Sequence, residues 1–448
     1  MKSILHQLIY LMQTTLQALG AECTPLQIER LCVTIHRAMN GEARQFHNIE
    51  HVLSFWNAQN PIQSLAAMYH DIVYYQVDRG LDPEVEEGLG PYLQEENGEL
   101  CIMGELAEVD EMLHMVMSVF GVEKQRICTM SSGLNEFLSA LYMVKKLEGI
   151  VSPADLLRLT ACIEASIPFR ADVNGKSSFD LLAERLLRLD EEMQLDLGEQ
   201  GVEQIVHLAV GFANQDVASF AAVDVSSFLS DTWKLLPETN IPLRSPELYT
   251  VVDYRKALQR MEMFTSSLDP ARVFHSYRGV PPPEIYGPLE EQARRNLEIA
   301  TQYLRVKLLT MGVLEGLAEI SGGDAPISLF TGESGAVEGQ QIEDWLPDMN
   351  NDLVPLGWRS AEVIRLLQAG RGGTSEFDVG PSPVSLFWYR SLSKEEFDVS
   401  LMRARQFFDR LLTARAFLKS LNAEVLRTTI WSVAAMATTR RDALMDFD

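Results

Sequence analysis

Two short stretches hold side chains able to bind a metal ion: Phe46-His47-Asn48-Ile49-Glu50-His51-Val52, and Ala66-Ala67-Met68-Tyr69-His70-Asp71-Ile72. Imidazole nitrogens and carboxylate oxygens are the ligands that borderline divalent cations take. His47 and His51 are four apart, a spacing that stacks both on one face of a helix. His70 and Asp71 are neighbours, so on a helix their side chains diverge by about 100° and can enter one cleft. Ala66 and Ala67, one turn earlier, leave room for an ion beside them. Two packed helices of this kind would bring three or four ligand-type groups to one spot. The chain has only 8 His in 448 residues, and three of them fall within residues 47–70 beside the doublet. The plainer alternative is a set of polar histidines without a metal. The same letters, His47-x-x-Glu50-His51, also match the inverted zinc-peptidase pattern, with Glu50 as base and both His on zinc. That pattern needs a distant third ligand and leaves His70-Asp71 unused.

The elements that must position these residues read as helices almost throughout. Thr24-Pro25 places an N-cap before a proline in the first turn and opens a helix to about Met39. Asn60-Pro61 opens the helix leading to His70, and Ser152-Pro153 opens another over Asp155 to Ile167. Further helices are expected near 104–120, 132–148, 200–220, 245–267 and 288–318, with a closing pair over 394–446. Residues 3–21 are uncharged, but Leu5, Ile9, Met12, Leu16 and Leu19 recur at helical spacing among polar residues, the pattern of an amphipathic helix. No convincing alternating strand and no internal repeat is found. Glycine-rich runs predict irregular loops near 321–350 and 369–393, and Gly370 to Gly373 lack the GxxxxGK[ST] pattern of a phosphate loop. The expected division is a helical domain over 1–235 and a second helical region over 236–448.

Composition limits the partners. The formal net charge of −25 repels nucleic-acid phosphates and anionic lipid heads, so neither nucleic acid nor membrane is an expected partner. A small anionic substrate would be repelled too, unless the site carries a cation of its own, and a divalent metal supplies one. Cys23, Cys32, Cys101, Cys128 and Cys162 form no CxxC pair and are odd in number, which fits free thiols in a reducing, cytoplasmic setting. No stretch is long and apolar enough to span a bilayer.

The pattern HNxxH followed some tens of residues later by a His-Asp doublet resembles the HD superfamily of metal-dependent phosphohydrolases. It is most similar to the version shared by cyclic-nucleotide phosphodiesterases and a group of small bacterial predicted phosphohydrolases. The resemblance covers residues 36–75. It implies an all-α, HD-type helical bundle in which His51, His70 and Asp71 hold a divalent metal, Asp71 bridging if two ions bind. His47 would be the general acid toward the leaving oxygen. The family needs a further Asp on a later helix. Val202, Ile205, Ala209, Phe212, Asp216 and Phe220 fall on one helical stripe, and an ionised Asp in an apolar stripe is costly unless paired, so Asp216 is the expected ligand, ahead of Glu164 and Asp172. Glu111 and His114 are the best pair for a second ion, and Arg170 and Arg278 are candidates for phosphate contacts; for these four a solvated face or a structural salt bridge is the plainer reading.

The chain also departs from the pattern. Phe46 stands where tyrosine is usual, the interval from His51 to His70 is short, and no counterpart of the glutamine that clamps cyclic-nucleotide bases is found. The expected substrate is therefore a phosphate ester or anhydride of a nucleotide or other small molecule, not a cyclic nucleotide. Mn, Fe, Co, Ni and Zn all suit mixed nitrogen and oxygen ligands. Two other readings stay open. One is a ligand-binding sensor or scaffold on a degenerate HD site. The other is a di-iron oxygenase whose extra His ligands could only be His114 and His207.

Overall fold

The computed structural model describes residues 3–96, 99–122, 133–245, 248–332, 341–347, 357–372 and 380–447. The fold is all-α, with one short hairpin as the only sheet among the described residues. The chain divides into two compact units. The first is Met1–Ala218 with Asp269–Glu291, and the second is Ser219–Leu268 with Gln292–Asp448.

The first unit holds α1 (Ile4–Ala18), α2 (Pro25–Met39), α3 (Ile49–Ser54), α4 (Pro61–Tyr69), α5 (Tyr75–Asp78) and α6 (Pro83–Leu89). It continues with the hairpin β1 (Leu93–Glu96) and β2 (Glu99–Ile102), then α7 (Glu111–Phe120), α8 (Leu134–Leu147), α9 (Pro153–Ala165), α10 (Ser178–Met193) and α11 (Gly198–Asp216). The proline-marked starts are helix starts. Thr24 accepts from the Gln27 amide while the Gln27 side chain accepts from the Thr24 amide, a reciprocal cap that satisfies two donors at the start of α2. Asn60 and Ser152 cap α4 and α9 in the same position before proline. The uncharged N-terminal segment is an amphipathic helix that buries Leu8, Met12 and Leu16 and packs on α2 and α4. At the centre lies α9, buried from Leu156 to Ala165 except at Arg158, and packed against α4, α8 and α11.

Several expectations need correction. The stretch 104–120 divides into a 3-10 turn, Gly104–Glu108, and α7, because Asp110 caps a new helix start. The hairpin is absent from the sequence reading, although the Asn97-Gly98 dipeptide between its strands is a common hairpin-turn sequence.

The second unit holds α12 (Val225–Thr239), α13 (Val251–Ser267), the residues from Gln292 onward of the long α14 (Pro283–Ser321), α15 (Ser328–Thr331), α16 (Ala361–Ala369), α17 (Pro383–Ser391), α18 (Lys394–Phe408), α19 (Ala414–Lys419), α20 (Ala423–Met436) and α21 (Arg441–Met445). Residue 235, the expected domain boundary, falls inside α12 of this unit, and the chain returns to the first unit at Asp269–Glu291. The closing region holds four helices instead of a pair, and the loop stretches carry α15, a 3-10 turn at Ile342–Trp345, and α17. Among the described residues no helix is long and apolar enough to cross a membrane.

Candidate metal centre

The centre is built at the ends of helices in the first unit. Asn48 accepts from the His51 amide at 3.1 Å and starts α3, which places His51 in its first turn. His47 therefore precedes the helix instead of sharing its face with His51, and the two rings meet with centroids 6.2 Å apart. His70 is the C-cap of α4 and Asp71 lies in the turn beyond, so the doublet closes a helix and does not lie within one. Asp216 is the last residue of α11, anchored by the neighbouring Gln215 side chain, which donates to the Phe55 carbonyl at 3.4 Å.

These ends converge. One ligand atom each from His51, His70 and Asp216 lie within 4.8 Å of one another. His70 Nε2 is 2.9 Å from Asp71 Oδ2 and 3.7 Å from Asp216 Oδ1. His51 Nε2 is 3.3 Å from Asp216 Oδ1 and 3.8 Å from Asp71 Oδ2. Despite these approaches His51 Nε2, His70 Nε2 and Asp71 Oδ2 are all buried without an aligned hydrogen-bond partner. Buried polar atoms left so are costly. A cation at their common focus would satisfy all three, so the residues present fit a metal. The other ring nitrogen of His70, Nδ1, is 2.8 Å from the Ala67 carbonyl, which turns the Nε2 lone pair toward the cluster when Nδ1 carries the hydrogen. Ala67, expected to leave space, thus also supplies an orienting carbonyl.

The walls are aromatic. Phe46 and Phe55 flank His51, each with centroids at 4.9 Å, and Phe55 and Phe212 flank His70 at 5.4 and 5.6 Å. Such walls lower the local dielectric and strengthen every charge interaction inside. Burial works against ionising Asp216, but its contacts with His51 and His70 outweigh that and hold its pKa at about 2. Asp71 is also held below its ordinary value: burial opposes ionisation, and His70, His47 and His51 overcome it. His70, 1% exposed, is pushed up: burial disfavours its charge, but Asp71 and Asp216 win. All these shifts describe one buried cluster of opposite charges.

The sequence reading overlooks two groups. Arg44, fully buried, donates to the Asp71 carbonyl at 2.5 Å and forms a fork onto Asp78. Glu136, in the first turn of α8, has its carboxyl pKa raised by burial and then by the charges of Asp71 and Asp216. Its turn is docked on the chain after the doublet: Asn135 Oδ1 accepts from the Tyr75 amide and Ser139 Oγ from the Val73 amide, both at 3.1 Å. No local spacing distinguishes either residue from an ordinary surface charge.

Other candidates lie outside the cluster. Glu50 is exposed on α3. Glu164 is buried but engaged by Arg170 at 2.5 Å and Arg185 at 2.7 Å, which also accounts for Arg170. Arg278 pairs with Glu203. Asp172 and Glu111 are exposed, His114 contacts Glu192, and His207 lies 3.2 Å from the Tyr277 carbonyl. Cys23, Cys32, Cys101 and Cys162 are free thiols, and Cys128 lies outside the described residues. No protein-family model matches the chain, and neither a curated protein nor a solved structure matches it.

Proposed function

We propose that the chain is a metal-dependent phosphohydrolase of the HD type, with one divalent ion held by His51, His70, Asp71 and Asp216. The observation that carries this reading is the convergence of two orphaned imidazole nitrogens and two carboxylates from three separate stretches of chain. A divalent ion held there would supply Lewis acidity toward water and a phosphoryl oxygen. The chain's own residues do the rest. His47 stands at the edge of the cluster, half-buried, its ring 4.5 Å from Tyr74 and 6.2 Å from His51. It protonates the departing oxygen. The substrate is a small phosphate ester or anhydride, for which the ion supplies the positive charge that the acidic surface lacks.

The alternatives fare less well on the same geometry. The di-iron oxygenase reading needs His114 and His207 beside the cluster, and both are engaged elsewhere. The inverted-peptidase reading needs Glu50 at the centre, and Glu50 is exposed.

Metal content and hydrolysis of a panel of phosphomonoesters, phosphodiesters and nucleotides test the proposal on three variants. His70→Ala and His51→Ala are expected to lose both metal and activity. His47→Ala is expected to keep the metal and to slow turnover by roughly 10²–10⁴-fold, with the loss shrinking on an aryl phosphate whose leaving group needs little protonation. Full metal content in His70→Ala would overturn the site, and metal loss in His47→Ala would make it a ligand. Metal bound by the wild type with no turnover across the panel would favour a ligand-binding role.

A further inference from the structure

We propose that Arg44 is a positioning residue that fixes the affinity of the metal centre by locking the segment before α3 to the segment after α4. The proposal rests on the reading of His51, His70, Asp71 and Asp216 as a metal site.

Residues 41–48, which lead into the His51 helix, contain no helix or strand, and α3 itself has 6 residues. A ligand carried on so short an element is held only as well as its approach. Arg44, in that approach, reaches the main chain of the other half of the site. Its guanidinium is fully buried. Nη1 donates to the Asp71 carbonyl at 2.5 Å and to the His47 carbonyl at 3.4 Å, and Nη2 donates to the Ile72 carbonyl at 3.3 Å. Nε and Nη2 also bond both oxygens of Asp78, the last residue of α5, at 2.5 to 3.1 Å. One planar group therefore spans the peptide of the proton donor, the peptide of the ligand Asp71, and the helix that follows.

A buried cation is unfavourable unless it is paired and every donor is satisfied. Asp78 supplies the charge and the carbonyls supply the remaining acceptors. The geometry suits arginine in particular. Five N–H groups in a rigid fork reach acceptors in several directions at once, and lysine, with its single compact ammonium, does not. Groups that orient ligands from behind set metal affinity, typically by about 10–100-fold. Arg44 acts here through the Asp71 main chain, one bond network removed from the ion, so its effect falls on affinity first.

The test uses the full chain with Co²⁺ as the probe ion, its affinity measured by titration and its coordination followed by the visible absorption band. Wild type and His70→Ala establish the centre. If the wild type fails to bind, or His70→Ala binds equally well, the metal site itself is refused and this proposal falls with it. If the centre stands, Arg44→Lys is expected to retain its helical circular dichroism and to bind Co²⁺ about 10–100-fold more weakly. Arg44→Ala is expected to recover part of its affinity when guanidinium is added at millimolar, non-denaturing concentration. Leu186→Ala, a core truncation on α10, is the control for destabilisation alone and is expected to melt earlier with unchanged affinity. Wild-type Co²⁺ affinity in Arg44→Lys would overturn the proposal even if Arg44→Ala failed to fold.

Discussion

At the residue scale the cluster is a proton site that a metal would take over. Against burial, Asp71 and Asp216 raise the pKa of His70, His51 and His70 depress that of Asp216, and His70, His47 and His51 depress that of Asp71. The sign of the consequence differs between the partners. The raised value of His70 contributes folding stability that is fully present below its ordinary 6.5 and is lost as pH rises through its folded value. The depressed values of Asp71 and Asp216 contribute stability present above 3.8 and lost as pH falls toward their folded values. A metal needs the Nε2 lone pair that this proton occupies, so binding must release it. Metal affinity is therefore expected to rise with pH by up to about tenfold per unit while His70 stays protonated in the free protein. Titrations at several pH values, repeated in buffers of different ionisation enthalpy, measure both the slope and the proton released. Affinity flat from weakly acidic to weakly alkaline pH would show that His70 carries no proton for the ion to displace.

At the element scale two of the four proposed ligands, His70 and Asp216, sit where helices finish. His70 caps the C-terminus of α4 and Asp216 ends α11, and helix C-termini carry about half a negative charge that favours a cation within one turn. The opposite end of α4 is set by Asn60, whose side chain accepts from the Gln63 amide at 3.2 Å. Asn60→Ala is expected to cost about 1 kcal/mol of stability. It should leave metal affinity unchanged, because the cap lies away from the doublet. Urea unfolding and a metal titration on the same variant check both, and a joint loss would mean that the whole of α4 moves with its cap. The same local signals explain what was readable in the sequence. Thr24, Asn60 and Ser152 before proline mark helix starts by chemistry carried within a few residues, so those boundaries hold. The convergence of His70 and Asp216 is likewise foreshadowed, by a local doublet and by a carboxylate that interrupts an apolar stripe. Spacing puts His47 on the helix of His51, whereas Asn48 caps α3 one residue after it, a choice that spacing alone does not reveal. Arg44 and Glu136 were invisible because their roles depend on partners far along the chain: the Asp71 carbonyl for one, and the packing of α8 onto residues 73–75 for the other.

At the scale of the whole molecule the net charge of −25 acts on both members of the proposed reaction, with opposite signs. An acidic protein gathers divalent cations around it and repels phosphate anions. Salt shortens the reach of that field, from about 10 Å at 0.1 M to about 3 Å at 1 M ionic strength. The contacts inside the cluster are buried and only weakly screened, so the part that salt removes is the long-range part. Raising KCl at fixed pH is therefore expected to weaken the binding of a divalent ion, by a few-fold, while lowering KM for an anionic phosphate ester on the metal-loaded protein. The first effect reports loss of attraction and the second loss of repulsion, and a neutral salt that simply perturbed the fold would worsen both. Metal titrations and initial rates over the same KCl series separate these cases. A KM that rises with salt would mean that positive side chains steer the substrate despite the acidic surface. Arg170 and Arg278 would be the first to neutralise by substitution, although each is engaged by a glutamate in the folded chain.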